Sequence, residues 1–154
     1  MKGGAFWRQR AVMIVLLAVS SAVSADHVVG HASIGRIDIY LGVLPAEMLR
    51  GHPRAHPESM MHGGAPESAF HHVSVALFDR TTGRRILGAR VEAQVSGENY
   101  SGPRKVLEPM QAEGARLYGN YFAFGGAAAH NVRVWVMLPD SREPVVEDFD
   151  WARS

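Results

Sequence analysis

The segment between Met48 and His72 concentrates side chains that bind metal ions. It holds five of the chain's eight histidines and three of its seven methionines, and the chain contains no cysteine. Imidazole accepts copper and zinc, whereas a thioether selects the soft Cu(I) ion. The segment therefore predicts a copper site built without thiolates.

A Met-Met-His triplet is the strongest ligand candidate in this segment. Met60, Met61 and His62 are followed by two glycines, which let the backbone fold closely around a bound ion. We predict that the triplet supplies the main copper ligands. The candidates that would complete the site are His52, His56, His72 and Met110.

Local rules limit how the histidines can meet. His52 and His56 each precede a proline, which disfavours the helical i,i+4 arrangement and leaves only an extended one. His71 and His72 begin a predicted strand and must point to opposite faces, so only one can face the segment. The alternative is a polar loop whose histidines bind no specific ion.

The amino terminus predicts export. Basic residues precede an apolar run over residues 11–19, and small residues follow up to Ala25, which is the pattern of a cleaved signal peptide over residues 1–25. The run is shorter than the roughly 20 residues that span a bilayer. We predict a periplasmic mature chain over residues 26–154. Cleavage one residue earlier would make His27 the third residue of the mature chain. The free amine, two amide nitrogens and this imidazole would then form a square-planar Cu(II) site.

Composition excludes several functions for the mature chain. After cleavage, thirteen basic and fifteen acidic side chains give a net charge of −2, with neutral histidines. This balance argues against a nucleic-acid partner. The sequence contains no nucleophile elbow, HExxH motif, Walker loop or dinucleotide fingerprint, so we predict that the protein is not an enzyme.

The mature chain alternates at the period of a β-strand. In residues 131–138, Val132, Val134, Val136 and Leu138 share one face and longer or polar side chains the other. Similar patterns, separated by turn residues, predict an all-β fold: a single immunoglobulin-like antiparallel β-sandwich of about seven strands. The predicted strands cover residues 34–44, 72–79, 86–96, 105–110, 117–124, 131–138 and 145–151.

Two connections between the predicted strands have recognisable sequence patterns. Asp79 and Gly83 bracket a tight turn, which predicts that strands 72–79 and 86–96 form a hairpin. Residues 45–70 contain several prolines and predict a long His/Met-rich loop, with a short helix possible near residues 45–50.

Three short motifs resemble a known family. The motifs are Leu-Glu-Pro-Met110, Leu-Tyr-Gly-Asn-Tyr121 and a later Val-Arg-Val-Trp-Val strand. They resemble those of the periplasmic immunoglobulin-like proteins linked to bacterial iron uptake, which bind copper. The resemblance implies a β-sandwich with a methionine, histidine and glutamate copper site. It places Met110 at the family's Pro-Met ligand, but Leu117 at one ligand histidine and Trp135 near another. Either the family site is lost here, or the His/Met-rich loop replaces the missing ligands.

Two functions follow as alternatives. The first is an exported copper-binding chaperone, buffer or accessory to metal transport, with the metal ion and a periplasmic or membrane transport protein as partners. The second is a non-catalytic periplasmic interaction module without a specific metal site.

Overall fold

The computed structural model describes residues 28–50, 70–112, 114–126 and 128–152, which form nine strands and one short helix. No helix in this part of the chain is long and apolar enough to cross a membrane. The predicted signal peptide lies outside the described residues. The elements are β1 (Val28–Ile34), β2 (Ile37–Pro45), α1 (Ala46–Arg50), β3 (Phe70–Asp79), β4 (Arg90–Gly97), β5 (Tyr100–Ser101), β6 (Lys105–Ala112), β7 (Ala115–Ala123), β8 (Ala129–Met137) and β9 (Val145–Ala152).

The strands form two antiparallel layers that share β6. The first sheet has the order β1-β2-β3-β7-β6 and the second β6-β4-β8-β9, with β5 added to β4. Residues 105–107 of β6 pair with β4, and residues 108–112 pair with β7. On the opposite side, Gly30 of β1 packs closely against the ring of Phe149 in β9. The two sheets therefore enclose one core, and the predicted all-β sandwich is confirmed.

The core is built from the inward faces that the alternation predicted. Val132, Val134 and Val136 of β8 are fully buried, as are Val91 and Ala93 of β4. The opposing sheet contributes buried side chains from β2, β3 and β7, namely Ile37, Ile39, Leu41, Val73, Val75, Leu77, Tyr118 and Phe122. Removing this apolar surface from water is the main stabilising contribution.

The predicted count of about seven strands was too low, because β1 and β5 were missed. The inward positions of β1 are occupied by Gly30 and by the partly buried Ala32 and Ile34. A glycine and an alanine give little hydrophobic alternation, so β1 shows almost no periodic signal. β5 is only two residues long.

The predicted hairpin forms only beside its turn, and β4 does not continue it. The Asp79 carboxylate accepts hydrogen bonds from the backbone amides of Thr81 and Thr82, at 3.0 and 2.8 Å, and Gly83 has a positive φ of 65°. Next to the turn, residues 84–86 pair with residues 77–79, but further along β3 the same edge pairs with β7. The chain therefore crosses to the second sheet before β4 begins.

β6 also continues beyond its predicted end at residue 110, passing through Pro109 to Ala112. Pro109 lies opposite Tyr118 of β7, and β4 no longer pairs with β6 at this point. A proline is tolerated on a strand edge because no neighbour needs its missing N–H.

The turn at Asp79 predicts a measurable acid dependence. Hydrogen bonds from Thr82, and then from Thr81, hold the pKa of the Asp79 carboxyl below its ordinary value of 3.8. Because the folded pKa is the lower one, this contribution to stability is present above the unfolded pKa and is lost as the pH falls through the folded value. We expect Asp79→Ala to lower the melting temperature by a few degrees at pH 7, and the difference from the wild type to shrink in strong acid. A difference that is equal at pH 7 and pH 2 would contradict this.

Candidate metal-binding site

The outer face of the first sheet carries the two predicted ligands that lie within the described residues. Tyr118 and Phe122 of β7 point into the core, so Gly119 and Tyr121 lie on the outer face. His72 of β3 is paired with Tyr121. Met110 lies on the neighbouring strand β6. Three adjacent strands therefore bring these residues to one patch.

Gly119 lies at the centre of this patch. A Cβ atom built on Gly119 would lie 2.5 Å from Met110 Sδ and 2.7 Å from both Nε2 and Cε1 of His72. The sulfur and the imidazole nitrogen therefore converge on one point, which is open only because residue 119 has no side chain. The Met110 and His72 side chains are each 4% exposed.

The donor chemistry at Gly119 fits a soft metal ion. Metal–nitrogen and metal–sulfur bonds to histidine and sulfur ligands are about 2.0–2.1 and 2.3 Å in zinc sites. Met110 Sδ and His72 Nε2 would have to adjust to reach such distances from one shared ion. An imidazole with a thioether is a donor set that favours Cu(I).

The surroundings orient the imidazole. The Tyr121 ring meets the His72 ring edge-on, with centroids 5.0 Å apart. Tyr121 also packs with Ala46 at the start of α1, and partly buried Leu44 and Phe70 flank them. Glu108 lies directly opposite Gly119 on β6, so its side chain leaves the sheet on the same face.

The described side chains supply only part of a coordination sphere. In residues 28–50 and the described residues after 70, no group of three or more His, Asp and Glu side chains could hold a metal ion. One imidazole and one thioether meet at Gly119. A closed site therefore requires at least one further ligand.

The adjacent histidines point to opposite faces, as predicted. The His71 ring packs in the interior against Phe124 at 4.5 Å and against Trp151 at 5.2 Å, measured between ring centroids. Only His72 reaches the outer face. The two imidazoles therefore belong to different environments although they are neighbours in sequence.

Five predicted ligands lie outside the described residues, so their role remains a prediction. These ligands are His52, His56, Met60, Met61 and His62.

The two other positions implied by the family resemblance are not ligands here. Leu117 pairs with Met110 across β6 and β7 and presents only an apolar side chain. Trp135 lies on the outer face of the second sheet, with the Arg104 guanidinium 4.0 Å from its ring. The site therefore departs from the implied ligand set at both positions.

Gly119 is the residue that sequence reasoning missed. It was visible only as one letter in the Tyr-Gly-Asn-Tyr motif of a predicted strand. An isolated glycine inside a strand often marks a close approach of another group, and this signal could have identified it.

The fold has counterparts among solved structures. A DUF4426 family protein from Pseudomonas aeruginosa PAO1 matches with a TM-score of 0.63 and 13% identity, over 80% of this chain and 93% of that chain. A copper-bound variant of FetP from uropathogenic Escherichia coli strain F11 matches with a TM-score of 0.62 and 12% identity, over 82% of this chain and 95% of that chain. FetP from the same strain, as isolated after expression in the periplasm, matches with a TM-score of 0.62 and 12% identity, over 82% of this chain and 94% of that chain. No family model and no curated protein sequence matches the chain. The resemblance is therefore confirmed for the fold.

Proposed function

We propose that the protein is an exported copper-binding protein that serves as a chaperone, buffer or accessory in metal transport and catalyses no reaction. The observation that carries the proposal is the convergence of Met110 Sδ and His72 Nε2 over Gly119. Export rests on the predicted signal peptide.

Copper is the ion best matched to these donors. Zinc gains little from a thioether, whereas Cu(I) prefers it. The copper-bound state of the FetP variant, which has the same fold, supports the same ion. Glu108 offers an oxygen ligand that suits Cu(II) better than Cu(I), so oxidation would favour its participation.

The Met60-Met61-His62 triplet is our candidate for the missing ligands. Its segment joins β3 at Phe70, two residues before His72. Residues 63–69 are long enough to reach Gly119 from that junction, since an extended chain spans about 3.3–3.6 Å per residue. His52 and His56 are the further candidates.

The test is an anaerobic competition for Cu(I) against a chromophoric chelator. We expect the wild type to bind about one ion more tightly than zinc. His72→Ala and Met110→Ala should each weaken binding by about tenfold or more, since each removes one ligand. Joint replacement of Met60, Met61 and His62 by alanine should weaken it by orders of magnitude. His31→Ala and Met137→Ala, which alter the same residue types away from Gly119, should have no effect.

The outcomes separate the alternatives. If the triple variant competes as well as the wild type, the loop supplies no ligand. If His72→Ala and Met110→Ala also compete fully, the site over Gly119 does not bind copper. If the wild type itself cannot compete, the interaction-module function replaces the metal function.

A further inference from the structure

A cleft of about 470 Å³ lies on the outer face of the first sheet, beside the turn that follows β3. Its lining residues come from β2, β3 and the segment after the turn, and they are Asp38, Tyr40, Ala76, Phe78, Gly83 and Arg85. Ile39 and Leu77 are fully buried in the core, so the lining residues on either side of them in β2 and β3 point outward. Arg85 is bridged to Phe78, and its side chain therefore leaves on the same face. None of these residues is a candidate copper ligand.

Two aromatic rings form the walls of this cleft. The rings of Tyr40 and Phe78 are nearly perpendicular, at 85°, with centroids 5.5 Å apart. The His31 ring stacks on the Tyr40 ring with centroids 4.4 Å apart, which holds the phenol in one orientation. Ala76 lies opposite Tyr40 and ends at its Cβ atom, so the space above it stays open. The cleft therefore presents half-buried aromatic surface to a flat apolar ring.

Arg85 places a fixed positive charge in the cleft. Its guanidinium carbon lies 4.5 Å from the centroid of the Phe78 ring, and its Nη1 donates a hydrogen bond to the Arg116 carbonyl oxygen at 2.6 Å. That bond uses one of the five N–H donors of the guanidinium. Within residues 28–50 and the described residues after 70, Arg85 takes part in no ion pair. A guanidinium stacked on a ring keeps its N–H edge for a carboxylate, which it can bind with two parallel hydrogen bonds.

The one carboxylate that lines the cleft is already compensated. Asp38 accepts a hydrogen bond from the Ser33 hydroxyl, and its Oδ1 lies 3.6 Å from Arg80 Nε and 3.5 Å from His31 Nε2. Arg80 therefore balances the charge of Asp38. The charge that remains for a ligand is that of Arg85, which is positive.

We propose that this cleft binds a small aromatic carboxylic acid. The carboxylate would pair with the guanidinium edge of Arg85, and the ring would lie above Ala76 against Tyr40 and Phe78. A cationic ligand fits less well, because a guanidinium already lies over the Phe78 ring and Asp38 is already paired. The volume lies in the range of small-molecule sites. This inference is independent of the copper proposal, since it uses none of the same side chains.

The test is calorimetric titration of the full chain at neutral pH with naphthoate. We expect saturable binding of one molecule. Naphthamide, which has the ring without the charge, and acetate, which has the charge without the ring, should not saturate the protein. Cyclohexanecarboxylate should bind more weakly than naphthoate, because it cannot stack on the two rings.

Two variants test the two halves of the site. Arg85→Gln should weaken naphthoate binding by about tenfold, because it removes the charge-assisted hydrogen bonds. Ala76→Leu should abolish binding, because the longer side chain would fill the space above the sheet. The matched controls are Arg84→Gln, at an exposed position that does not line the cleft, and Ala129→Leu, at an exposed position on β8. Both controls should bind like the wild type.

A spectroscopic readout locates the bound ligand directly. Nuclear Overhauser contacts should connect the naphthoate protons with the ring protons of Tyr40 and Phe78. Circular dichroism checks that each variant is folded, and Ala76→Leu decides the question if Arg85→Gln is unfolded. The proposal is overturned if naphthoate does not bind, if naphthamide binds equally, if folded Ala76→Leu retains full affinity, or if the contacts are to other rings.

Discussion

Replacing Gly119 by alanine is expected to abolish tight Cu(I) binding while leaving the β-sandwich folded. The new methyl group would occupy the point on which Met110 Sδ and His72 Nε2 converge, at 2.5 and 2.7 Å. Both contacts are with the ends of side chains, which can rotate away, so the backbone of β7 can persist. The displaced donors could no longer share an ion, and we expect a loss of affinity of about a hundredfold or more.

Gly126→Ala is the matched control, because a Cβ at Gly126 would meet nothing within 4 Å. The same anaerobic chelator competition measures both variants, and far-ultraviolet circular dichroism checks their folding. Wild-type affinity in folded Gly119→Ala would show that the ion binds elsewhere. Loss of the β spectrum would require the ligand variants His72→Ala and Met110→Ala to decide the question.

Val134→Asp is expected to unfold the protein. Val134 is 0% exposed and lies between Val132 and Val136 on the inward face of β8. An unpaired carboxylate at this position costs several kcal/mol. That is a large share of the roughly 5–15 kcal/mol by which folded domains are stable.

Val146→Asp is the control for this change, since Val146 is 43% exposed on the adjacent strand β9. It should leave the melting temperature within a few degrees of the wild type. Circular dichroism at 25 °C should show a β spectrum for Val146→Asp and an unfolded spectrum for Val134→Asp. A cooperative melt for Val134→Asp near the wild-type temperature would contradict the burial of this face.

Alternation predicted the faces of the strands because the pleat is a local property of the backbone. In β2 and β8, every second residue is buried, as the pattern required. The same rule separated His71 from His72. It failed for β1, where Gly30 occupies an inward position against Phe149, because packing against another strand replaces the missing side chain.

Strand pairing could not be predicted in the same way. The turn at Asp79 has the expected hydrogen bonds, yet β4 pairs with β8 and not with β3. Turn residues determine only that the chain reverses. Which edge the next strand joins depends on which edges are still free, and that is a property of the whole sheet.

For the candidate metal site too, the sequence determined some features and the tertiary structure determined the others. The sequence alone determined the donor types, the absence of thiolates and the face on which each strand residue lies, because composition and a two-residue period are local. Only the tertiary structure decided which donors meet. Met110 and His72 lie on β6 and β3, which are separated by β7, and their side chains converge only because β7 carries a glycine between them.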